Sequence, residues 1–263
     1  MTAFGPNIYQ FPEGQIIAFV LVLLRISAFF VAWPVFGTTL VPTPVKILLS
    51  ICLALMMFPV IHFQNLTQLQ ISEDIILLAL REVAVGLSMG FMMRMFFFAV
   101  SIAGEITSTS IGLASGQMFN PSLGSQSTAV EQFQLALATL FFLSISGHHL
   151  FISGLGQSFE LVPLAGATLN YHSYGALAVT VQKAVLMGLK MCAPVLIAVL
   201  LTNLSMGIIG RAVPQINVLV TSLPVTISVG IGVMFVSIPL VLAEMNGLLD
   251  IMASEFFKML RVL

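Results

Sequence analysis

Apolar residues come in long runs along this chain, and polar residues gather in the gaps between them. Six apolar blocks stand out: Ile16–Phe36, Val45–Ile61, Ile75–Ala103, Phe133–Leu155, Tyr174–Leu204 and Val218–Leu242. Crossing a bilayer takes about 20 apolar residues, so most of the blocks are long enough to span. Lipid offers the backbone no hydrogen-bond partners, and strand-like alternation is absent, so the blocks predict helices. The fold class is therefore all-α: membrane-associated helical hairpins with kinked helices, in one domain over residues 1–263.

Proline and glycine punctuate the blocks. Pro34, Pro42 and Pro44 mark the turn of the first hairpin, and Pro214 stops the fifth block. Pro194, Pro224 and Pro239 fall within apolar runs and predict kinks, since each removes a backbone donor and crowds the preceding turn. The end of the chain, residues 248–263, predicts a short amphipathic helix. Leu248, Leu249, Met252, Phe256, Met259, Leu260 and Leu263 share one side, and Asp250, Ser254, Lys258 and Arg261 the other. Such a helix suits a membrane surface or a neighbouring subunit equally well.

The longest polar gap, Gly104–Glu131, reads GEITSTSIGLASGQMFNPSLGSQSTAVE. It predicts a central loop of small, flexible, nearly uncharged residues, long enough to carry a function of its own. A segment of this kind between apolar helices suits lining, filling or blocking a polar space.

Composition sharpens the class. The chain is 59% hydrophobic and 7% charged, against about 45–50% and 25% for soluble domains. The net charge of −1 offers no basic surface for nucleic acid. Cys52 and Cys192 sit in apolar runs and read as buried free thiols. No positively charged region precedes the first apolar run, which argues against a cleaved signal peptide. Lysine and arginine are nearly balanced between the two sides of the predicted topology, so the positive-inside rule sets no clear orientation.

Arg25, Arg81, Glu82, Arg94, Lys183 and Lys190 lie inside apolar blocks. A charge at a helix centre costs about 2.5–3.5 kcal/mol on insertion scales, so these groups need ion-pair partners or a wet cavity. Lys183 and Lys190 share a helix face. Arg94 and Glu105 also share one, but too far apart along the axis to pair with each other. Met89, Met92, Met93 and Met95, followed by Phe96–Phe98, form a soft apolar patch. It suits ordinary packing or a deformable seal around a passing chain.

Little here points to catalysis. The adjacent His148 and His149 point about 100° apart on a helix and lack a third ligand, so they suit a structural hydrogen bond or a proton relay better than a metal. No nucleotide-binding, serine-hydrolase or zinc-protease motif occurs, so the sequence predicts neither enzyme nor cofactor.

Taken together, several motifs resemble the flagellar biosynthetic protein FliR family of export-gate subunits, shared with the equivalent subunit of virulence type III secretion. They are GEITSTSIGLASGQMFNPS in the central gap; Pro34–Gly37, Val41-Pro42 and Val45-Lys46 in the first hairpin; Ser146–His149; and Arg211–Val218. They follow the family order along essentially the whole chain. The resemblance implies a pore-forming subunit in a pseudo-helical gate with FliP and FliQ. It also implies contact with the switch protein FlhB, flagellar rod components, membrane lipid and unfolded exported proteins, in the basal body at the bacterial inner membrane. It further implies that the central loop plugs the closed pore. Mapped here, the plug is Ile111, Gly112, Leu113, Ala114, Ser115, Gly116, Gln117, Met118, Phe119, Asn120 and Pro121, with Met118 and Phe119 as stoppers. Glu105 becomes an anchor at its base, and Arg94, Arg81, Lys183 and Lys190 structural or ion-pair groups. Arg211, Pro214, Gln215 and Asn217 form a constriction, or simply a turn that Asn217 caps. A solute transporter is the competing reading of the broken helices and interior charges, although no convincing repeat of two halves is visible.

Overall fold

The structure is a computed structural model that describes residues 13–33, 42–59, 61, 75–113, 128–164, 171–213, 215 and 217–262. Among the described residues the regular elements are all helices. They are α1 (Glu13–Ala32), α2 (Thr43–Met57), α3 (Ile75–Ile111), α4 (Ala129–Ser144), α5 (Gly147–Leu161), α6 (Tyr171–Ala212), α7 (Val218–Val236) and α8 (Ile238–Val262). The all-α expectation holds, but the blocks divide differently. The fourth block is two helices, α4 and α5, bent by 65°, and the sixth continues from α7 into α8 across a 57° bend. At the first bend Ser146 takes the left-handed conformation, φ 58°. At the second, Pro239 lies just past Ser237 and has no N–H to offer the carbonyl of Phe235, so the α7 ladder cannot run on.

Of the three prolines expected to kink helices, Pro239 falls at the 57° bend. Pro194 and Pro224 lie inside single helices, α6 and α7. Pro239 sits in the first turn of α8, where a missing N–H costs little. The tail is not a separate surface helix but the last part of α8. Leu248, Leu249, Met252, Phe256, Met259 and Leu260 are buried within the chain itself. Leu263 lies outside the described residues.

The chain divides into two compact units. The first comprises Met1–Arg94, His149–Leu177 and Glu255–Leu263. In it α3 lies close against α1 because Gly86 and Gly90, one helical turn apart, have no side chains. A Cβ at Gly90 would stand 2.5 Å from Ala32 Cβ and 2.8 Å from Phe29 O, and one at Gly86 would overlap Arg25 O. This is the small-residue spacing that lets apolar helices approach closely. Phe29, Phe30 and Trp33 fill the interior of the unit, with Phe30 and Trp33 stacked at 5.5 Å. Phe19 meets Phe58 at the end of α2. Phe151 of α5 meets Phe256 of α8 edge to face at 5.6 Å.

The second unit comprises Met95–His148 and Ala178–Ser254. Phe96 and Phe97 of α3 pack on Phe142 of α4. Gly188 of α6 lies against Ala99 O of α3, where a Cβ would stand at 2.7 Å. Ile111, Val130, Val195, Val199 and Met234 form an apolar cluster drawn from α3, α4, α6 and α7. The methionine–phenylalanine patch is core: Met89, Met92, Met93, Met95, Phe96 and Phe97 are buried, and Phe98 is exposed. Cys192 is buried as expected, but Cys52 is exposed, because α2 turns only Ser50 and Ala54 fully inward.

Candidate functional site

The polar gap begins and ends inside helices. Residues 104–111, read from sequence as loop, are the last turns of α3. Two of their hydroxyls bond back to the preceding turn. Thr109 Oγ1 donates to Glu105 O at 2.9 Å and Ser110 Oγ to Ile106 O at 2.7 Å, while Thr107 and Ser108 are fully buried. Gly112 stops the helix at φ 95°. Its N–H donates to Thr109 O, and that of Leu113 to Ser108 O, at 3.1 Å each. This is a Schellman C-cap, which glycine enters without strain.

The return is equally defined. Thr128 caps α4, its side chain accepting from the Glu131 N–H at 3.3 Å. Thr128 and Glu131 have the spacing of a capping box. The Glu131 carboxylate, however, reaches across to α3 and accepts a hydrogen bond from Ser101 Oγ. One turn on, Gly104 meets the α4 backbone, and a Cβ there would stand 2.6 Å from Glu131 Cα.

These facts reassign several residues. Ile111, expected in the plug, is 1% exposed and belongs to the core of the second unit. Gly112 is a helix stop, and Leu113 is 40% exposed where the chain leaves α3. Ala114, Ser115, Gly116, Gln117, Met118, Phe119, Asn120 and Pro121 lie outside the described residues. The acid that ties the base of the segment is Glu131 rather than Glu105. Gly104 faces α4, so Glu105, about 100° further round α3, is exposed.

Arg94 and Lys190 are exposed, and Arg81 and Lys183 are half-buried. Of the six charges set in apolar blocks, Arg25 and Glu82 form an interior pair. Arg25 of α1 and Glu82 of α3 are both 0% exposed, with Nε to Oε2 at 2.6 Å. Arg25 Nη1 also donates to Ser158 O at 3.1 Å and Val162 O at 3.0 Å, capping the C-terminal end of α5. The guanidinium lies 4.4 Å from the centre of the Phe159 ring. One arginine thus ties three helices of the first unit together. The sequence carried half of this signal, an arginine midway along an apolar run and a glutamate in another. Partner choice was missing, since residues 25, 82 and 158 meet only through the tertiary fold.

In the turn after α6, Arg211 is exposed in the last helical turn, where a cation complements the helix dipole. Gln215 is exposed, and Pro214 lies outside the described residues. Asn217 occupies the N-cap of α7 but makes no side-chain cap. Its carbonyl accepts from the N–H groups of Val220 and Thr221 at 3.1 Å. The amide side chain is left exposed on the surface of the turn. His148 is half-buried and His149 exposed.

Helix length and surface define the class of protein. Three helical stretches, Gly14–Ala32, Ile75–Ile111 and Leu177–Ala212, are long and apolar enough to cross a membrane, or up to five if each bent pair counts as one span. This is an all-α membrane protein. Residues 16–252 match the family described as bacterial export proteins, family 1, and the chain belongs to that family. It is 33% identical over 237 residues to the flagellar biosynthetic protein FliR of Bacillus subtilis, covering 89% of this chain and 91% of the relative. Identity to the protein of the same name from Aquifex aeolicus is 29%, covering 94% and 93%. For that of Escherichia coli it is 29%, covering 90% and 89%.

Proposed function

We propose that this chain is a non-enzymatic subunit of the flagellar protein export apparatus, and that it contributes to the channel through which unfolded flagellar proteins leave the cell. The observation that carries the reading is the family match over residues 16–252, with relatives that bear one flagellar name. That match supports flagellar export over virulence secretion and over solute transport.

Helix dimensions support assembly with other subunits. At about 1.5 Å per residue, the 42 residues of α6 extend about 63 Å, against a hydrocarbon core of about 30 Å. Exposed apolar side chains run from Val179 through Leu186, Ile197, Leu200 and Leu204 to Val213. That stripe is longer than lipid can cover even with strong tilt, so part of it is covered by protein. FliP and FliQ are the partners proposed for it, with FlhB and the rod components at the ends of the assembly. The inner membrane at the basal body is the proposed location. Arg211, Gln215 and Asn217 are exposed together, which suits a turn lining the channel mouth. Gly112 to Pro121 is proposed as the plug.

The test is a strain lacking Gly112–Pro121. Purified gate complex is expected in normal yield, with raised ion conductance across the membrane. Normal assembly without added leak overturns the plug, and failure to co-purify with FliP and FliQ overturns the gate assignment.

A further inference from the structure

We infer that α3 and α4 form a fixed frame around the central segment, and that they stay joined while substrate passes. The inference rests on the plug reading above and adds a mechanical limit to it: the walls from which the segment emerges do not part.

Both ends are held by independent anchors. Along the seam, Ser101 Oγ donates to the Glu131 carboxylate across the two helices. Next to it the backbones meet through Gly104, whose missing Cβ would lie 2.6 Å from Glu131 Cα and 3.3 Å from Gln134 Oε1. Gln134 is itself buried at this contact. At the exit, the Gly112 C-cap ends α3 immediately after Ile111, and Ile111 is held among Val130, Val195, Val199 and Met234. At the return, Thr128 caps α4 two residues before Val130 enters the same cluster. Separating the helices would break the bridge between them, expose Ile111 and Val130 to solvent, and open a backbone contact that only glycine permits. Each loss falls on the same seam. The seam is therefore the stable part of the site.

The test is a reversible cross-link across the seam. Cys52 and Cys192 are replaced by Ala, Ser101→Cys and Glu131→Cys are introduced, and a short bis-methanethiosulfonate joins them in assembled complex. Export is expected to change by less than twofold between cross-linked protein and the same protein after reduction. Loss of export of tenfold or more on cross-linking, restored by reductant, overturns the inference. The cross-link reads the seam and a deletion of Ala114–Pro121, which spares the Gly112 cap, reads the plug, so one can fail while the other holds. Gly104→Val supplies a second readout that needs no cross-link. Wedging the seam is expected to lower the thermal transition of the complex in detergent by several degrees. An unchanged transition shows that the seam is not locked, and overturns the inference as well.

Discussion

At the scale of single residues, the strongest commitment in the molecule is Arg25. A charge enclosed at 0% exposure is tolerable only because Glu82, two helix-end carbonyls and the Phe159 ring all meet it. Removing one partner strands the other. Glu82→Gln and Arg25→Met are each expected to cost about 3–5 kcal/mol in unfolding measured in detergent. The double variant Arg25→Met, Glu82→Leu removes both charges and is expected to recover part of the loss. It still leaves Val162 O without its donor, worth about 1–3 kcal/mol, whereas Ser158 O keeps the Val162 N–H at 2.9 Å. A double variant as damaging as the sum of the singles would show that the pair has no coupling. Gly112 is a smaller case with a different cause. Its φ of 95° penalises any side chain, so Gly112→Ala is expected to cost about 1–2 kcal/mol, read as a lower thermal transition. Sequence alone flagged Arg25 and Glu82 as misplaced charges but favoured Arg94, Arg81, Lys183 and Lys190 as the ion-pair set. The reason is physical: an interior charge announces a need for a partner, and only the fold supplies its identity.

At the scale of elements, apolar runs located the helices well and their breaks less well. A run of apolar residues reads the same whether it is one helix or two bent ones. The α4–α5 bend depends on Ser146 in a left-handed conformation, which no hydrophobic pattern encodes. Ser146→Gly is therefore expected to be neutral or slightly stabilising, and Ser146→Val to cost about 1–2 kcal/mol, by thermal unfolding of the two variants side by side. The polar gap was misjudged in the other direction. Serine and threonine suggested a loop from Gly104 onward, yet hydroxyls that bond back to the preceding turn sit comfortably in a helix. The glycine pair Gly86 and Gly90 stood out only once α1 and α3 were seen in contact. The apolar helix that carries them was already legible in Ile75–Ala103, but not that it faces α1. Gly90→Val is expected to destabilise the first unit strongly, since its side chain would have to displace Ala32 and the Phe29 carbonyl.

At the scale of the whole molecule, a large share of the apolar surface remains uncovered. Val31, Leu48, Met56, Ile76, Leu140, Leu200 and Val236 are all prominently exposed, and surfaces of this kind belong to lipid or to partners. Leu200→Ser with Leu204→Ser is expected to leave the thermal transition of the isolated chain within a few degrees. The same change is expected to cut recovery of assembled complex several-fold, measured by co-purification from membranes. Equal loss in both measurements would assign the stripe to internal stability instead.

Sequence by itself determined that the chain is helical and built for an apolar environment, because composition and run length follow directly from the cost of placing backbone and charge in lipid. It also determined the family resemblance and the position of the long polar gap. Only the tertiary structure decided what holds that gap. It ended α3 at Gly112, made Ile111 a core residue rather than part of a plug, and chose Glu131 instead of Glu105 to tie the base. It also paired Arg25 with Glu82 across 57 positions. Apart from the local Gly112 cap, each of these turns on which faces of distant helices meet, and that is fixed by packing, which local patterns do not record.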